Sequence, residues 1–133
     1  MKTKHVVAAI IEKEGKILLA RRAPGEHSAG LWEFPGGKQE SGETLQQSLE
    51  REIFEEFGVK IKAGELFLRT ETVVDDFYLI LYALKAVHLN GDFEPTVHDS
   101  IVWVNPKELK EYKVPKPDMP IIEKIYSNTT LPL

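Results

Sequence analysis

Three glutamates near the middle of the chain, Glu52, Glu55 and Glu56, have the spacing of a cation-binding group on one helix. Glu52 and Glu56 lie one helical turn apart and Glu55 lies on the adjoining side, so all three share a face. Like charges four residues apart cost an isolated helix roughly 0.2–0.5 kcal/mol, a penalty that a bound cation reverses. Carboxylate oxygens suit Mg²⁺ or Mn²⁺. The alternative is an acidic helix face that contacts only solvent.

The loop before this helix favours the cation. Pro35-Gly36-Gly37 permits close approach of the backbone, because glycine carries no side chain. Its carbonyl oxygens add ligands of the kind that a hard divalent cation needs besides carboxylates. We therefore expect a divalent metal ion at the junction of loop and helix.

The helix itself is predicted over residues 44–57. Thr44 and Gln47 have the spacing of a capping box, and Gly58 stands where a C-terminal cap belongs. Apolar residues recur every four positions and predict the buried stripe: Leu45, Leu49, Ile53 and Phe57.

The rest of the chain predicts a sheet that supports the helix. Apolar runs at 6–11 and 16–20 flank the turn Glu14-Gly15 and indicate a β-hairpin, followed by a loop at 21–30. Asp118 is a candidate cap for a final helix with Pro120 in its first turn. The fold class expected is α/β (α+β), a mixed sheet with helices packed against it. The remaining predicted elements are short strands at 31–34, 61–69, 77–84 and 101–104, and helices at 106–111 and 119–127.

Composition sets the class of protein. A chain of 133 residues suits a single domain, 1–133, and its hydrophobic fraction of 42% is ordinary for a globular protein. A net charge of −4 argues against a nucleic-acid binder, and no apolar run is long enough for a membrane span or a signal peptide. The absence of cysteine excludes disulfides and thiolate metal sites and is consistent with a cytoplasmic location.

The span from Gly37 to Val59 resembles a known family element. It has glycine, five residues, glutamate, seven residues, and then Arg51-Glu52-Ile53-Phe54-Glu55-Glu56-Phe57-Gly58-Val59, which matches the Nudix box at every specified position. Gly30 to Pro35 and the hairpin before it resemble the MutT-like branch of that family. The resemblance implies an α/β/α sandwich. It also implies hydrolysis of a nucleoside diphosphate that is linked to another group. The reaction would depend on Mg²⁺, with Mn²⁺ as a substitute.

The resemblance also implies roles for single residues. Glu52, Glu55 and Glu56 would bind the metal together with the Gly36 carbonyl. Arg51 is expected to point away from this ligand face and to pair with Glu43. The structural positions of the box are Gly37, Glu43, Arg51 and Gly58.

Two basic residues are candidates for phosphate binding. Arg22 matches a position that contacts phosphate in MutT-like enzymes. Lys38 follows the glycines and either contacts a phosphate or is a solvated lysine in a turn.

The general base is left open by the sequence. Glu55 or Glu52 would accept the proton of the attacking water, or a residue of a later loop would do so. MutT-like chains often carry a glutamate six residues before the tryptophan of the late strand, but Val97 stands six before Trp103. Asp99 is the preferred substitute, with Glu94 and His98 as neighbours, and the alternative for this segment is a polar turn.

The substrate is predicted from two residues outside the box. Phe34 either stacks on a base or belongs to the core. Asp118 stands where MutT-like enzymes that read oxidised guanine carry asparagine, and a carboxylate favours a base edge rich in N–H groups, as in cytosine or adenine. The segment 115–121 resembles the CTP pyrophosphohydrolase subgroup. This resemblance predicts that CTP, dCTP or modified pyrimidine or adenine nucleotides are the substrates. The expected products are a nucleoside monophosphate and pyrophosphate.

Other functions remain alternatives. These are an 8-oxo-dGTP-type sanitising enzyme, a dinucleoside polyphosphate hydrolase, for which Tyr78 is a weak indication, and a non-catalytic nucleotide-binding or partner-binding module. A P-loop is excluded because Trp32 replaces its first glycine, and the gap between Pro35 and Pro95 disfavours an ADP-ribose hydrolase. The expected partner is a small nucleotide, with no nucleic acid and no membrane, and the chain is expected to be a monomer or homodimer.

Overall fold

The computed structural model describes residues 1–130, and all elements named below lie within them. A mixed sheet lies between helices, as predicted. The strands are β1 (Lys2–Lys13), β2 (Lys16–Arg22), β3 (Trp32–Glu33), β4 (Gly36–Lys38), β5 (Lys60–Val74), β6 (Phe77–Asn90) and β7 (His98–Val104). The helices are α1 (Leu45–Phe57) and α2 (Met119–Thr130), with 3-10 turns at Pro106–Glu111 and Lys116–Asp118.

The sheet is built around β1. Its main path runs β3-β2-β1-β6-β5, while β4 pairs with β1 and β7 pairs with β2. Strands β1 and β6 are parallel and the other pairs are antiparallel. The predicted hairpin is confirmed: Glu14 and Gly15 both have positive φ, 52° and 78°, which suits a tight two-residue turn between right-twisted strands.

Two apolar layers cover the faces of the sheet. On one face α1 packs through Leu49, Ile53 and Phe57, each fully buried. On the other face α2 packs through Ile121, Ile122 and Ile125. Because β1 is covered on both sides, its run 7–11 is continuously buried instead of alternating.

The ends of α1 are fixed by local sequence, as expected. The Thr44 side chain accepts the Gln47 N–H and the Gln47 side chain accepts the Thr44 N–H, which completes the capping box. Gly58 adopts the left-handed conformation at φ 70° and donates its N–H to the Phe54 carbonyl. This defined start and end set which side chains of the helix face β4.

Several boundaries differ from the sequence prediction. Strands β5 and β6 are longer than expected because they form one long ribbon, and Arg21 and Arg22 belong to β2 instead of a loop. Asp118, the predicted cap of α2, ends the 3-10 turn directly before that helix, and its Oδ2 accepts a hydrogen bond from the Phe34 N–H. Across residues 1–130, no helix combines the length and the apolar character that a membrane crossing would require.

Candidate active site

Arg51 of α1 bonds to the carboxylates of the glutamate-rich span. Its Nε donates to Glu43 Oε2 over 2.7 Å, and its Nη1 donates to Glu52 Oε1 over 2.9 Å. Nη1 also lies 3.2 Å from Glu55 Oε2. The expected pair with Glu43 is present, but the expectation that Arg51 points away from the ligand face is wrong. Its long side chain folds along the helix onto the face that Glu52 and Glu55 share.

Glu43 closes the loop that leads into α1. Besides Arg51, it accepts hydrogen bonds from the Ser48 hydroxyl at 2.7 Å and the Glu40 N–H at 3.0 Å. The hydrogen bonds from Arg51 and Ser48 lower the pKa of Glu43 to about 2. Glu43 is therefore a permanent anion that anchors Arg51 at the start of the helix.

Glu56 has a different environment from Glu43. One of its carboxylate oxygens, Oε2, is buried and has no hydrogen-bond partner. Burial, followed by the charges of Glu33 and Glu52, raises the pKa of Glu56 to about 8. Burial also raises the pKa of Glu52 above its usual value. Both side chains carry negative charge at a cost that a nearby cation would remove.

The two glycines of β4 bring backbone next to these carboxylates. Gly37 pairs with Val7 of β1, and a Cβ at Gly37 would collide with the Glu52 carboxylate. Gly36 pairs with Ala8, and a Cβ there would collide with the Val7 backbone. A side chain at position 37 would therefore push Glu52 away, which explains the need for glycine at this close approach.

The donor set fits a hard divalent cation. Oxygen ligands from Glu52, Glu55 and Glu56 are available, and the unpartnered Glu56 oxygen is the kind of group that a cation satisfies. Within residues 1–130, no three acidic or histidine side chains already converge in a metal-binding geometry. Glu52 and Glu55 are instead held by Arg51. A cation would thus compete with one guanidinium nitrogen for these oxygens.

A second group of polar residues adjoins the box on the same face of the sheet. Glu33 Oε2 lies 2.8 Å from His98 Nε2 and 3.4 Å from Arg22 Nη1. The His98 side chain is fully buried and stacks on Phe57. Glu33 had no predicted role, and the one indication in the sequence was its place two residues before Pro35-Gly36-Gly37. The long-range contact with β7 is not visible in the sequence.

A cleft of about 380 Å³ connects these groups with the α2 side of the sheet. Arg22, Glu33, Gly36, Gly37 and Lys38 lie at its polar end. Its apolar walls include Val6, Ala8, Phe77, Leu79, Leu81, Pro115 and Pro117. A polyanion at one end and a flat organic group at the other would match this distribution of charge.

Asp118 and Phe34 lie together in the apolar part of this cleft. Asp118 Oδ2 accepts the Phe34 N–H at 3.0 Å, and both residues are buried. Burial raises the pKa of Asp118 to about 7, against the opposing effect of the Phe34 N–H. Phe34 is 3% exposed and belongs to the core cluster on the α2 side, so little of its ring is open for stacking on a base.

The remaining predicted residues have different surroundings. Arg22 lines the polar end of the cleft and donates to the His27 carbonyl, while Lys38 is exposed at the rim. The Asp99 carboxylate bonds to Arg21 over 2.8 Å. Arg21 lies over Trp32 on the α2 face, so the structure does not bring Asp99 to the box glutamates.

Comparisons with known proteins agree with this geometry. Residues 6–124 match the family described as NUDIX domain. The chain is 40% identical over 123 residues to a CTP pyrophosphohydrolase of Escherichia coli, covering 92% of this chain and 91% of that protein. It is 31% identical over 126 residues to the 8-oxo-dGTP diphosphatase of the same organism, covering 94% and 98%.

Solved structures give the same fold. The solution structure of the E. coli ORF135 protein superimposes with a TM-score of 0.87 at 38% identity, covering 99% of this chain and 95% of that one. A MutT protein from Methanosarcina mazei superimposes with a TM-score of 0.85 at 24% identity, covering 97% and 96%, which supports the fold alone.

Proposed function

The chain belongs to the NUDIX domain family, and on that premise we propose that it cleaves nucleoside triphosphates of the CTP type into a nucleoside monophosphate and pyrophosphate. The observation that carries this proposal is the cleft, which is lined by both Gly37 and Asp118, and Gly37 lies against the Glu52 carboxylate of the box. The polar end of the cleft suits the phosphates and its apolar end suits the base. The identity of 40% with a CTP pyrophosphohydrolase over most of both chains supports the same substrate class.

NUDIX hydrolases use divalent metal ions, and we propose Mg²⁺ for this chain, with Mn²⁺ as a substitute. Glu52, Glu55 and Glu56 would hold the ion together with the Gly36 carbonyl. A bound Mg²⁺ neutralises charge on the pyrophosphate oxygens and activates a water molecule. Arg22, at the polar end of the cleft beside Glu33, would contact a phosphate, and Lys38 would do so from the rim.

We propose Glu52 as the proton acceptor for the attacking water, in preference to Glu55 and Asp99. Burial raises the pKa of Glu52, which makes it a better proton acceptor than an ordinary carboxylate. Glu55 is more than half exposed, and the Asp99 carboxylate is occupied by Arg21 on the other face of the sheet. These surroundings favour Glu52 among the predicted bases.

Asp118 is proposed to select the base. Its buried carboxylate lines the apolar end of the cleft and uses one oxygen for the Phe34 N–H. The other oxygen is a hydrogen-bond acceptor for an exocyclic amine such as that of cytosine. The 31% identity with an 8-oxo-dGTP diphosphatase keeps oxidised guanine nucleotides as a second candidate substrate.

A hydrolysis screen with the full chain tests this function. CTP, dCTP, ATP, 8-oxo-dGTP and a dinucleoside polyphosphate are incubated with and without Mg²⁺, and the products are separated by ion-exchange chromatography. We expect CMP and pyrophosphate from CTP, with no turnover in EDTA. Release of orthophosphate would contradict the bond assigned, and the absence of product from every nucleotide would leave a binding module instead.

The proposal also covers the partners, the location and the oligomeric state of the enzyme. We expect a small nucleotide as its partner, with neither nucleic acid nor membrane, and a cytoplasmic monomer or homodimer. The prediction of one domain over 1–133 stays a prediction, and its residues 131–133 lie outside the described part of the chain. Analytical ultracentrifugation would decide between monomer and homodimer.

A further inference from the structure

His98 connects the box helix to Glu33 across the sheet. Its ring stacks on Phe57 of α1, with centroids 5.1 Å apart and planes inclined by 14°. Its Nε2 lies 2.8 Å from Glu33 Oε2. The stacking leaves the ring little freedom to rotate, so the direction of the Nε2 bond is set by the end of α1.

The segment that carries His98 is also fixed to α1. The Glu94 N–H donates to the Phe57 carbonyl over 2.9 Å, and the Thr96 N–H donates to the Glu56 carbonyl over 3.0 Å. The C-terminal end of α1 thereby positions the loop before β7. His98 enters the site in a fixed relation to Glu56, which is on the same helical turn as Phe57.

The hydrogen-bonding pattern assigns the proton of His98. An ionised Glu33 only accepts hydrogen bonds, so Nε2 must carry the proton. The opposite nitrogen, Nδ1, is buried and has no hydrogen-bond partner. Burying a ring nitrogen without a hydrogen-bond partner costs stability, so the polar atoms of His98 contribute little to the stability of the fold. The hydrogen bond from Nε2 to Glu33 therefore calls for an explanation other than stability.

We propose that His98 is a positioning residue, which holds the Glu33 carboxylate beside Glu56 so that Glu33 joins the box glutamates in facing the divalent cation. This inference rests on the proposed function for the reaction, but metal binding tests it separately. Arg22 holds the same Glu33 oxygen from the other side at 3.4 Å, so Glu33 is fixed by two donors. Glu33 lines the cleft together with Gly36, whose carbonyl is a predicted ligand, and its charge contributes to the raised pKa of Glu56.

Two substitutions separate the hydrogen bond from the ring. His98→Gln keeps an N–H donor near the Nε2 position and removes the ring, whereas His98→Phe keeps a ring on Phe57 and removes the donor. His88→Gln is the matched control, because His88 bonds to the Gly91 carbonyl at the far side of the same loop. Circular dichroism and thermal melting without metal establish that each variant is folded.

The measurements are the dissociation constant for Mn²⁺, by calorimetry without nucleotide, and kcat and KM for CTP hydrolysis. We expect His98→Phe to weaken Mn²⁺ binding and to lower kcat by about tenfold each, with KM for CTP nearly unchanged. His98→Gln and His88→Gln should stay within about threefold of the wild type. Glu33→Gln should lose at least as much as His98→Phe, and the double variant should be no worse than Glu33→Gln alone, because His98 is proposed to act only through Glu33.

Opposite results overturn the inference. If His98→Gln loses as much as His98→Phe, the ring is what matters and the role of His98 is structural. If the losses of His98→Phe and Glu33→Gln multiply in the double variant, the two residues act independently. A wild-type chain that binds Mn²⁺ but hydrolyses no nucleotide would remove the proposed function, while the Mn²⁺ titrations would still decide the role of His98.

Discussion

The carboxylates of the box and the carboxylate at the apolar end of the cleft are held in different ways. In the box, Glu43, Glu52 and Glu55 form ion pairs with the Arg51 guanidinium. At the apolar end of the cleft, Asp118 is buried, and the hydrogen bond it accepts comes from a backbone N–H instead of a cation. The hydrogen bonds from Arg51 and Ser48 lower the pKa of Glu43 to about 2, whereas burial raises the pKa of Asp118 to about 7. The difference separates two tasks: handling the charge of a polyphosphate, and distinguishing the uncharged edges of bases.

The largest expected effect concerns Glu56 of the box. Glu56→Gln removes a predicted metal ligand whose ionisation is disfavoured by burial, without changing the size of the side chain, so we expect kcat to fall at least about a hundredfold and the melting temperature to be unchanged or higher. Glu65→Gln, at an exposed position of β5, is the control. A rate near that of the wild type for Glu56→Gln would remove the metal-site assignment.

A smaller loss is expected from Gly37. The new methyl group of Gly37→Ala displaces the Glu52 carboxylate, a flexible group, so activity should fall by about thirtyfold while the protein stays folded. Gly36→Ala is the contrasting variant, because its methyl group meets the backbone of Val7 and should lower the melting temperature. Steady-state kinetics and thermal melting of both variants distinguish a displaced ligand from a damaged sheet. Equal activity losses at equal melting temperatures would show that position 37 has no special relation to Glu52.

At the base end, the expected effect is on stability and depends on pH. The pKa of Asp118 is raised from 3.8 to about 7 in the folded chain, so the folded state binds this proton more tightly than the unfolded state. The contribution of Asp118 to stability is therefore most favourable below about pH 4, falls as pH rises towards 7, and levels off above it. Asp118→Asn keeps an acceptor for the Phe34 N–H without a charge.

The Asp118→Asn protein should thus be more stable than the wild type by about 2 kcal/mol at pH 8, and similar to it at pH 4. Urea denaturation at both pH values measures the difference. Glu123→Gln, at an exposed position of α2, is the control and should show no such pH dependence. If Asp118→Asn and the wild type differ in stability by the same amount at all pH values, the titration of Asp118 is not the source of the pH dependence.

The smallest expected effect is on substrate preference. Asp118→Asn introduces an N–H donor into the apolar end of the cleft, so the ratio of kcat/KM for CTP to that for 8-oxo-dGTP should fall by about tenfold. Competition assays with both nucleotides measure the ratio directly. If the ratio is unchanged, Asp118 supports the position of Phe34 and does not select the base.

The sequence predicted the parts of the site that are local. The helix with its caps, the buried stripe and the hairpin depend on neighbouring residues, and each was found where its pattern placed it. The contact between His98 and Glu33 spans 65 residues and that between Asp118 and Phe34 spans 84. Such contacts depend on how strands pair, and a single sequence does not show them. Arg51 was misplaced for another reason, because a helical position fixes the direction of Cβ but not that of a long side chain.

The parallel pairing of β1 with β6 has a consequence for how the protein folds. Lys2 pairs with Phe77 and Ile11 with Ala86, so the centre of the sheet closes only after most of the chain is available. The hairpins β1–β2 and β5–β6 need only local contacts and are expected to form early, whereas the parallel pairing is slow because its partners are distant in sequence. Strand β4, which carries Gly36 and Gly37, also binds to β1. Because its walls also include Leu81 of β6 and Asp118, the cleft is expected to become complete only in a late step of folding.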